Sequence, residues 1–412
     1  MLAVVAGRYT TTDSSLFGLR LLDAYSFAGS LFLQALKMLI VPLILSSIIT
    51  GVVTAGDSGA MGRLGGKTLL YYLTTSALAI LVGLMLVNGI APGIVNGTPA
   101  KEILAFSGDA ADVAARVQGH GVGDVAEIFL RMVPTNIVAA AANGQMLGLI
   151  FFGLLFGYFM SRIEGSPARV LREFWQGVFA VMMRMTDWVM RFAPIGVFAL
   201  VARVVASTGI AAFMPLLSFF LTVLAALAIH FFVTLPLILL LVGRVNPLRH
   251  YQAMVPALLT AFSTASSSAT LPVTMDCVEN RAGVSNRTSS FVLPLGATVN
   301  MDGTALYECV AAMFIAQAYG VHLGFAEQFS VVLLALLTSI GVAGIPAASL
   351  VAISIILTAV GLPLEGIGLI LAVDRVLDMC RTSVNVFSDS CGAVLVGRLE
   401  GESGILQKSP GA

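Results

Sequence analysis

The sequence predicts an all-α integral membrane protein of about eight transmembrane helices, the first apparently truncated, and two re-entrant helical hairpins. Three observations predict it. Of 412 residues, 58% are hydrophobic and 11% charged, and the mean hydropathy is +0.96. A soluble domain carries roughly a quarter charged residues, so lipid must cover much of this surface. Apolar stretches long enough to cross a bilayer recur at about 27–56, 67–92, 126–160, 174–202, 210–243, 288–318 and 366–397. Two further apolar segments, 252–275 and 329–362, are broken by small and polar clusters, Ser263-Thr264-Ala265-Ser266-Ser267-Ser268 and Gly341-Val342-Ala343-Gly344-Ile345-Pro346.

Met1–Gly7 is apolar but too short for a signal peptide or a span, and reads as the stump of a helix. A broken apolar segment makes sense where the chain turns inside protein or beside a cavity, since lipid offers no partner for a freed backbone group. Each broken hairpin is followed by a helix with polar residues: Asn300 and Asp302 after the first, Asp378, Arg381, Asn385 and Asp389 after the second. Paired interruptions of this kind point to inverted repeats around a transporter binding site.

Charge excludes some classes. Lys+Arg and Asp+Glu are 22 each, and no basic run suggests nucleic acid. Cys277, Cys309, Cys380 and Cys391 have no C-x-x-C spacing and read as packing residues. Arg63, Lys67, Arg162, Arg169, Arg172, Arg244, Arg249, Arg281, Arg287, Arg398 and Lys408 fall on one face if both hairpins re-enter from their own side. The positive-inside rule makes that face, with the C-terminus, cytoplasmic and the polar stretch 97–124 an external loop.

In the last helix Asp378, Arg381, Thr382, Asn385 and Asp389 fall at i, i+3, i+4, i+7 and i+11, on one stripe. Charges in a span cost roughly 2.5–3.5 kcal/mol each, so the stripe needs polar partners: an ion-pair ladder against neighbouring helices, or a site for a zwitterion. In the second reading Asp378 takes an ammonium and the Arg381 fork a carboxylate. Asn385 and Asp389 offer oxygens to an alkali cation. In Leu293-Pro294-Leu295-Gly296-Ala297-Thr298-Val299-Asn300-Met301-Asp302-Gly303-Thr304, Pro and Gly flanking Asn and Asp predict an unwound helix whose freed carbonyls line an ion site. The tip Ser266-Ser267-Ser268-Ala269-Thr270-Leu271-Pro272 offers hydroxyls and N–H groups to a carboxylate. His120, His230, His250 and His322 are dispersed and read as structural or surface residues, and no nucleophile–base pair suggests an enzyme.

From about residue 30 to 400 the chain resembles the dicarboxylate/amino acid:cation symporters, the family of the glutamate and aspartate transporters. The strings are Lys37-Met38-Leu39 with Pro42, Val133-Pro134-Thr135-Asn136, Ala193-Pro194-Ile195-Gly196, the Ser-Ser-Ser-Ala-Thr-Leu-Pro tip, Asn-Met-Asp-Gly-Thr, and Asp378 to Asp389. The resemblance implies that Ser267 and Asn385 hold the substrate α-carboxylate, Asp378 its amino group and Arg381 its side-chain carboxylate, with Ser266, Ser268, Thr304 and Thr382 nearby. Gly344-Ile345-Pro346 would form the tip of the second, gating hairpin. Sodium would bind at three sites: Gly296, Asn300, Asn385 and Asp389; Tyr72, Thr75, Ser76, Asn300 and Asp302; and carbonyls at Thr298, Ser339, Ile340 and Val342.

The family's trimers imply a scaffold at 1–66 and 97–205 and a mobile transport domain at 67–96 and 206–400. Within the latter lie hairpin 1 at 252–280, the unwound helix at 288–318, hairpin 2 at 329–362 and the last helix at 366–397; 401–412 is a cytoplasmic tail. Glu308 stands in an apolar run at a position that is glutamate in the animal transporters and glutamine in the archaeal ones. The glutamate form goes with proton co-transport and potassium counter-transport, which makes Glu308 the candidate proton carrier and potassium the candidate counter-ion. The chain departs from the family at Ala265 and Met379, where archaeal and animal members respectively carry arginine; Arg375 is a candidate replacement for either. The expected function is sodium-driven uptake of glutamate or aspartate by alternating access in the plasma (inner) membrane. The alternatives are a C4-dicarboxylate or neutral amino-acid carrier, disfavoured by Asp378 and Arg381 respectively, and an ion channel.

Overall fold

The computed structural model describes residues 6, 15–16, 19–57, 63–101, 130, 132–143, 145–208, 213–341 and 348–407. Among them the only strands form two short antiparallel ladders, Ser15–Leu16 with Leu19–Arg20 and Ile94–Val95 with Thr98–Pro99. The remaining regular structure is helical. The external loop expected at 97–124 lies outside the described residues beyond 101.

Helix α1 is Leu21–Asp57 and α2 is Arg63–Ile90. The stretch expected as one span at 126–160 is instead α3, Ile137–Ala142, and α4, Met146–Met160. Asn136 caps α3 by accepting from the N–H groups of Val138 and Ala139, and the polar Asn143 and Gln145 flank the break. The span expected at 174–202 is likewise two helices, α5, Ser166–Arg191, and α6, Ala193–Thr208. The chain turns at Phe192, just before Pro194, which has no N–H to continue the ladder.

Helix α7, Phe213–Ile229, passes through a π turn, His230–Thr234, into α8, Leu235–Leu241. Pro236 explains the wide turn. It cannot donate, and its ring crowds the carbonyl four residues back, so the N–H of Leu235 reaches the carbonyl of His230, five residues back. Leu64–Ile90 and Met214–Leu241 are long and apolar enough to cross a bilayer. Their outward residues, Leu70, Leu81 and Met85 on one and Leu217, Leu221 and Phe232 on the other, are exposed, as a lipid-facing surface requires.

Helices α9, Pro247–Thr264, and α10, Ser267–Asp276, pack against each other, so the first interrupted segment folds back on itself. It is longer than expected at its N-terminal end, because Asn246 caps α9 through the N–H of Leu248. The fold-back is made at Ala265, in the left-handed region at φ 50° and ψ 40°, a strained conformation for a residue with a Cβ. Helix α11, Asn286–Val299, and α12, Asp302–Ala318, are the two halves of the broken helix. Helix α13, Phe325–Gly341, starts four residues before the expected 329 and is followed by α14, Ala348–Val360. The expected tip between them, with Val342, Gly344, Ile345 and Pro346, lies outside the described residues. Helix α15 is Ile367–Leu399.

Two groups emerge from the packing. Helix α1 packs on α4, α5 and α6. Helix α12, buried at every residue from Asp302 to Ala316, packs on α2, α7, α13, α14 and α15. The end of α15 is tied to the starts of α2, α9 and α11. Lys67 Nζ donates to Glu400 Oε1 at 2.6 Å, Arg249 Nη1 donates to the Leu406 carbonyl at 3.2 Å, and Ser285 Oγ donates to Glu402 Oε1 at 2.6 Å.

Candidate functional site

The break in the α11–α12 helix positions the first cluster. Asn300 and Met301 leave helical geometry, which frees the last carbonyls of α11 and the first N–H groups of α12. Asn385 on α15 fills part of that gap: its Oδ1 accepts from Gly303 N at 2.8 Å and its Nδ2 donates to Thr304 Oγ1 at 3.1 Å. A Cβ on Gly303 would stand 2.8 Å from the Arg381 carbonyl, so glycine lets α12 and α15 approach this closely.

Around the same break lie Tyr72, Thr75 and Ser76 of α2. Asp302 Oδ1 accepts from Ser76 Oγ at 2.6 Å, and Asp302 Oδ2 accepts from Ser388 Oγ at 2.6 Å. Asn300 Nδ2 donates to Asp389 Oδ1 at 2.9 Å and to Ser388 Oγ at 3.1 Å, which leaves Asn300 Oδ1 3.5 Å from the hydroxyls of both Thr75 and Ser76. Tyr72 Oη donates to the Val292 carbonyl at 2.6 Å. Gly296 is in the same nest, between Asp389 and Tyr72. Two buried carboxyl groups, Asp302 and Asp389, are thus linked through Ser388 and Asn300, and among the described residues no lysine or arginine pairs with either. Such a pair accommodates a small hard cation.

A second cluster surrounds Arg381, whose side chain is 1% exposed. Its guanidinium lies 3.9 Å over the Tyr307 ring. Its Nη2 donates to Asp374 Oδ1 and Asp378 Oδ1, both at 3.0 Å, while its Nε and Nη1 have no partner. Asp378 and Arg381, expected to hold different groups of one ligand, are here bonded to each other. Arg375 is 72% exposed and reaches Asp378 at 3.8 Å, so it lies outside the buried pocket. Thr382 is buried beside this cluster.

Glu308 is fully buried on α12. Its Oε2 accepts from Thr338 Oγ1 at 3.0 Å, its Oε1 has no partner, and no cationic side chain among the described residues pairs with it. Ser339, next to Thr338, is buried and donates to the Leu336 carbonyl, and Ile340 extends the same helix. Thr298, near the end of α11, donates to the Leu295 carbonyl.

At the hairpin tip, Ser266 caps α10 by accepting from Ala269 N at 3.2 Å; Ser267 is buried and Ser268 exposed. Among the described residues no hydrogen bond joins this tip to α12 or α15, and Ile345 and Val342 lie outside the described residues. Sequence reasoning assigned no role to Asp374, Thr338, Ser388 and His230, all of which touch the clusters. Asp374 was legible, since it lies seven residues before Arg381 on the same stripe. His230, read as structural, is fully buried and its Nε2 lies 3.0 Å from Asp302 Oδ2. His250 does pack structurally, with its Nε2 2.9 Å from Ser390 Oγ, and His322 is exposed.

Polar clusters at a broken helix, inside a bundle with an apolar outer face, define a membrane transport protein. The profile of the sodium:dicarboxylate symporter family matches residues 1–399. The chain is 37% identical to a proton/sodium-glutamate symport protein of Geobacillus stearothermophilus, over 91% of this chain and 87% of that one. It is 35% identical to the proton/glutamate-aspartate symporter of Escherichia coli K12, over 97% of this chain and 91% of the relative. It is 37% identical to excitatory amino acid transporter 3 of Mus musculus, over 91% of this chain and 79% of the relative. The chain belongs to the sodium:dicarboxylate symporter family, and it is a multi-pass membrane protein.

Proposed function

We propose that this protein is a sodium-coupled symporter that takes up glutamate or aspartate by alternating access. The observation that carries the proposal is Arg381, a buried guanidinium stacked on Tyr307 with two nitrogens unpartnered. An unpartnered buried donor is costly unless a ligand satisfies it, and a carboxylate fits a guanidinium fork bidentately. Asp378 sits beside it for the substrate ammonium, with Asn385 and Ser267 of the Ser266–Ser268 tip for the α-carboxylate and Thr304 and Thr382 nearby. A neutral amino acid leaves the fork empty, and a C4-dicarboxylate leaves Asp378 without its ammonium.

Sodium binds where Tyr72, Thr75, Ser76, Gly296, Asn300, Asp302, Asn385 and Asp389 converge, and a third ion meets the carbonyls of Thr298, Ser339, Ile340 and Val342. Each sodium entering with its charge gains about 2.3 kcal/mol per 100 mV. Glu308 carries a proton, and potassium is the candidate counter-ion. The two packing groups support a scaffold at 1–66 and 97–205 and a mobile domain at 67–96 and 206–400. Both interrupted segments re-enter the membrane, the C-terminus is cytoplasmic, and three copies assemble. Uptake of labelled aspartate into liposomes tests the central reading. Uptake that requires an inward sodium gradient is expected; equal uptake without sodium, or a unitary current with no transported solute, would sink it.

A further inference from the structure

The two oxygens of Asp302 are not equivalent. Oδ2 has two partners, Ser388 Oγ at 2.6 Å and His230 Nε2 at 3.0 Å, whereas Oδ1 has the Ser76 hydroxyl alone. His230 is 0% exposed and its other ring nitrogen, Nδ1, has no partner. A proton on Nδ1 would leave a buried N–H unsatisfied and turn a lone pair on Nε2 toward the carboxylate. The proton therefore belongs on Nε2, which donates to Asp302. A neutral donor holds the carboxylate without cancelling its charge, and the charge stays available to a cation.

Ser388 completes the arrangement. Its Oγ accepts from Asn300 Nδ2 at 3.1 Å and so directs its own proton to Asp302 Oδ2. Fixing the amide nitrogen of Asn300 in turn fixes its Oδ1 beside Thr75 and Ser76. Two oxygens, Asn300 Oδ1 and Asp302 Oδ1, thereby both face the Ser76 hydroxyl, at 3.5 and 2.6 Å. His230 reaches this position from the first residue of the π turn that Pro236 imposes, and such turns recur at functional sites.

We infer that His230 is a positioning residue of the cation site: a neutral imidazole that, with Ser388, anchors Asp302 Oδ2 so that Oδ1 faces the ion. This rests on the sodium-site reading of Asp302 above. Groups that orient a metal-ligating carboxylate commonly alter ion affinity by about 10- to 100-fold when removed.

The test compares reconstituted wild-type protein with His230→Gln, His230→Leu and Ser388→Ala, in sodium titrations of aspartate uptake and of aspartate affinity at saturating sodium. His230→Gln keeps an N–H donor near the position of Nε2; His230→Leu keeps bulk without a donor. The expected result is a sodium midpoint raised about tenfold or more in His230→Leu and raised in Ser388→Ala. His230→Gln should stay within about threefold of wild type, and aspartate affinity at saturating sodium should be unchanged in all three. An unmoved midpoint in His230→Leu, or His230→Gln as impaired as His230→Leu, overturns the inference while wild-type sodium dependence leaves the parent reading standing. Wild-type uptake indifferent to sodium overturns the parent reading and the inference with it. Should His230→Leu fail to fold, Ser388→Ala decides: a raised midpoint supports the anchor and an unmoved one overturns it.

Discussion

The backbone of Gly296 lies so close to the Asp389 carboxylate that a Cβ on it would stand 2.5 Å from Asp389 Oδ1; Tyr72 Oη would be 2.7 Å away. Gly296→Ala must therefore push Asp389 aside. An off-rotamer side chain costs about 0.5–1.5 kcal/mol, which corresponds to an about two- to tenfold higher sodium midpoint for substrate uptake. Asp389→Asn should move the midpoint the same way, since an amide gives sodium an oxygen without the charge. Sodium titrations superimposable on wild type in both variants would remove Asp389 from the ion site.

Arg381→Cys should convert selectivity from acidic to neutral amino acids. It leaves the substrate side-chain carboxylate unpaired in a desolvated pocket, a loss of about 2–5 kcal/mol, or at least about 30-fold in aspartate affinity. Competition of labelled aspartate and labelled serine uptake by unlabelled amino acids reads the change. Unaltered aspartate affinity would show that Arg381 is not the side-chain anchor.

Among the described residues Glu308 has one hydrogen-bond partner, the Thr338 hydroxyl, and no cationic side chain within ion-pair distance. Glu308→Gln should preserve exchange of internal for external aspartate while net uptake loses its pH dependence or fails. An internal pH dye during sodium-driven uptake should report acidification that needs substrate. Wild-type uptake without that acidification would end the proton role.

Glu402 lies outside the spanning segments. Partial burial pushes its carboxyl up, but hydrogen bonds from Ser285 and Thr288 outweigh this and hold it below the ordinary glutamate range. Because the folded form binds the proton less readily than the unfolded form, its contribution is full above the unfolded value of about 4.3 and is lost as pH falls through the lower folded value. Glu402→Gln should cost about 1 kcal/mol at neutral pH, allowing for solvent exposure. Its thermal midpoint in detergent should then depend less on pH in the acid range. Identical melting profiles from pH 3 to 7 would show that the tail does not fasten α11.

The sequence by itself determined the membrane class, the break before Asp302 and the polar stripe of α15. In a lipid-covered chain every Asn, Asp, Arg or Pro inside an apolar run is costly, so its position is informative without any knowledge of the fold. Helix breaks at Phe192 and Asn143 were harder to read, because the few polar residues there, Arg191, Asn143 and Gln145, sit between long apolar runs that merge into one span when hydropathy is averaged. Only the tertiary structure decided which polar groups meet. Asn300 joins Asp389 across 89 positions and His230 joins Asp302 across 72. Periodicity gives the face of a helix but not its neighbour, and a histidine within an apolar helix looks like packing until the helix opposite presents a carboxylate.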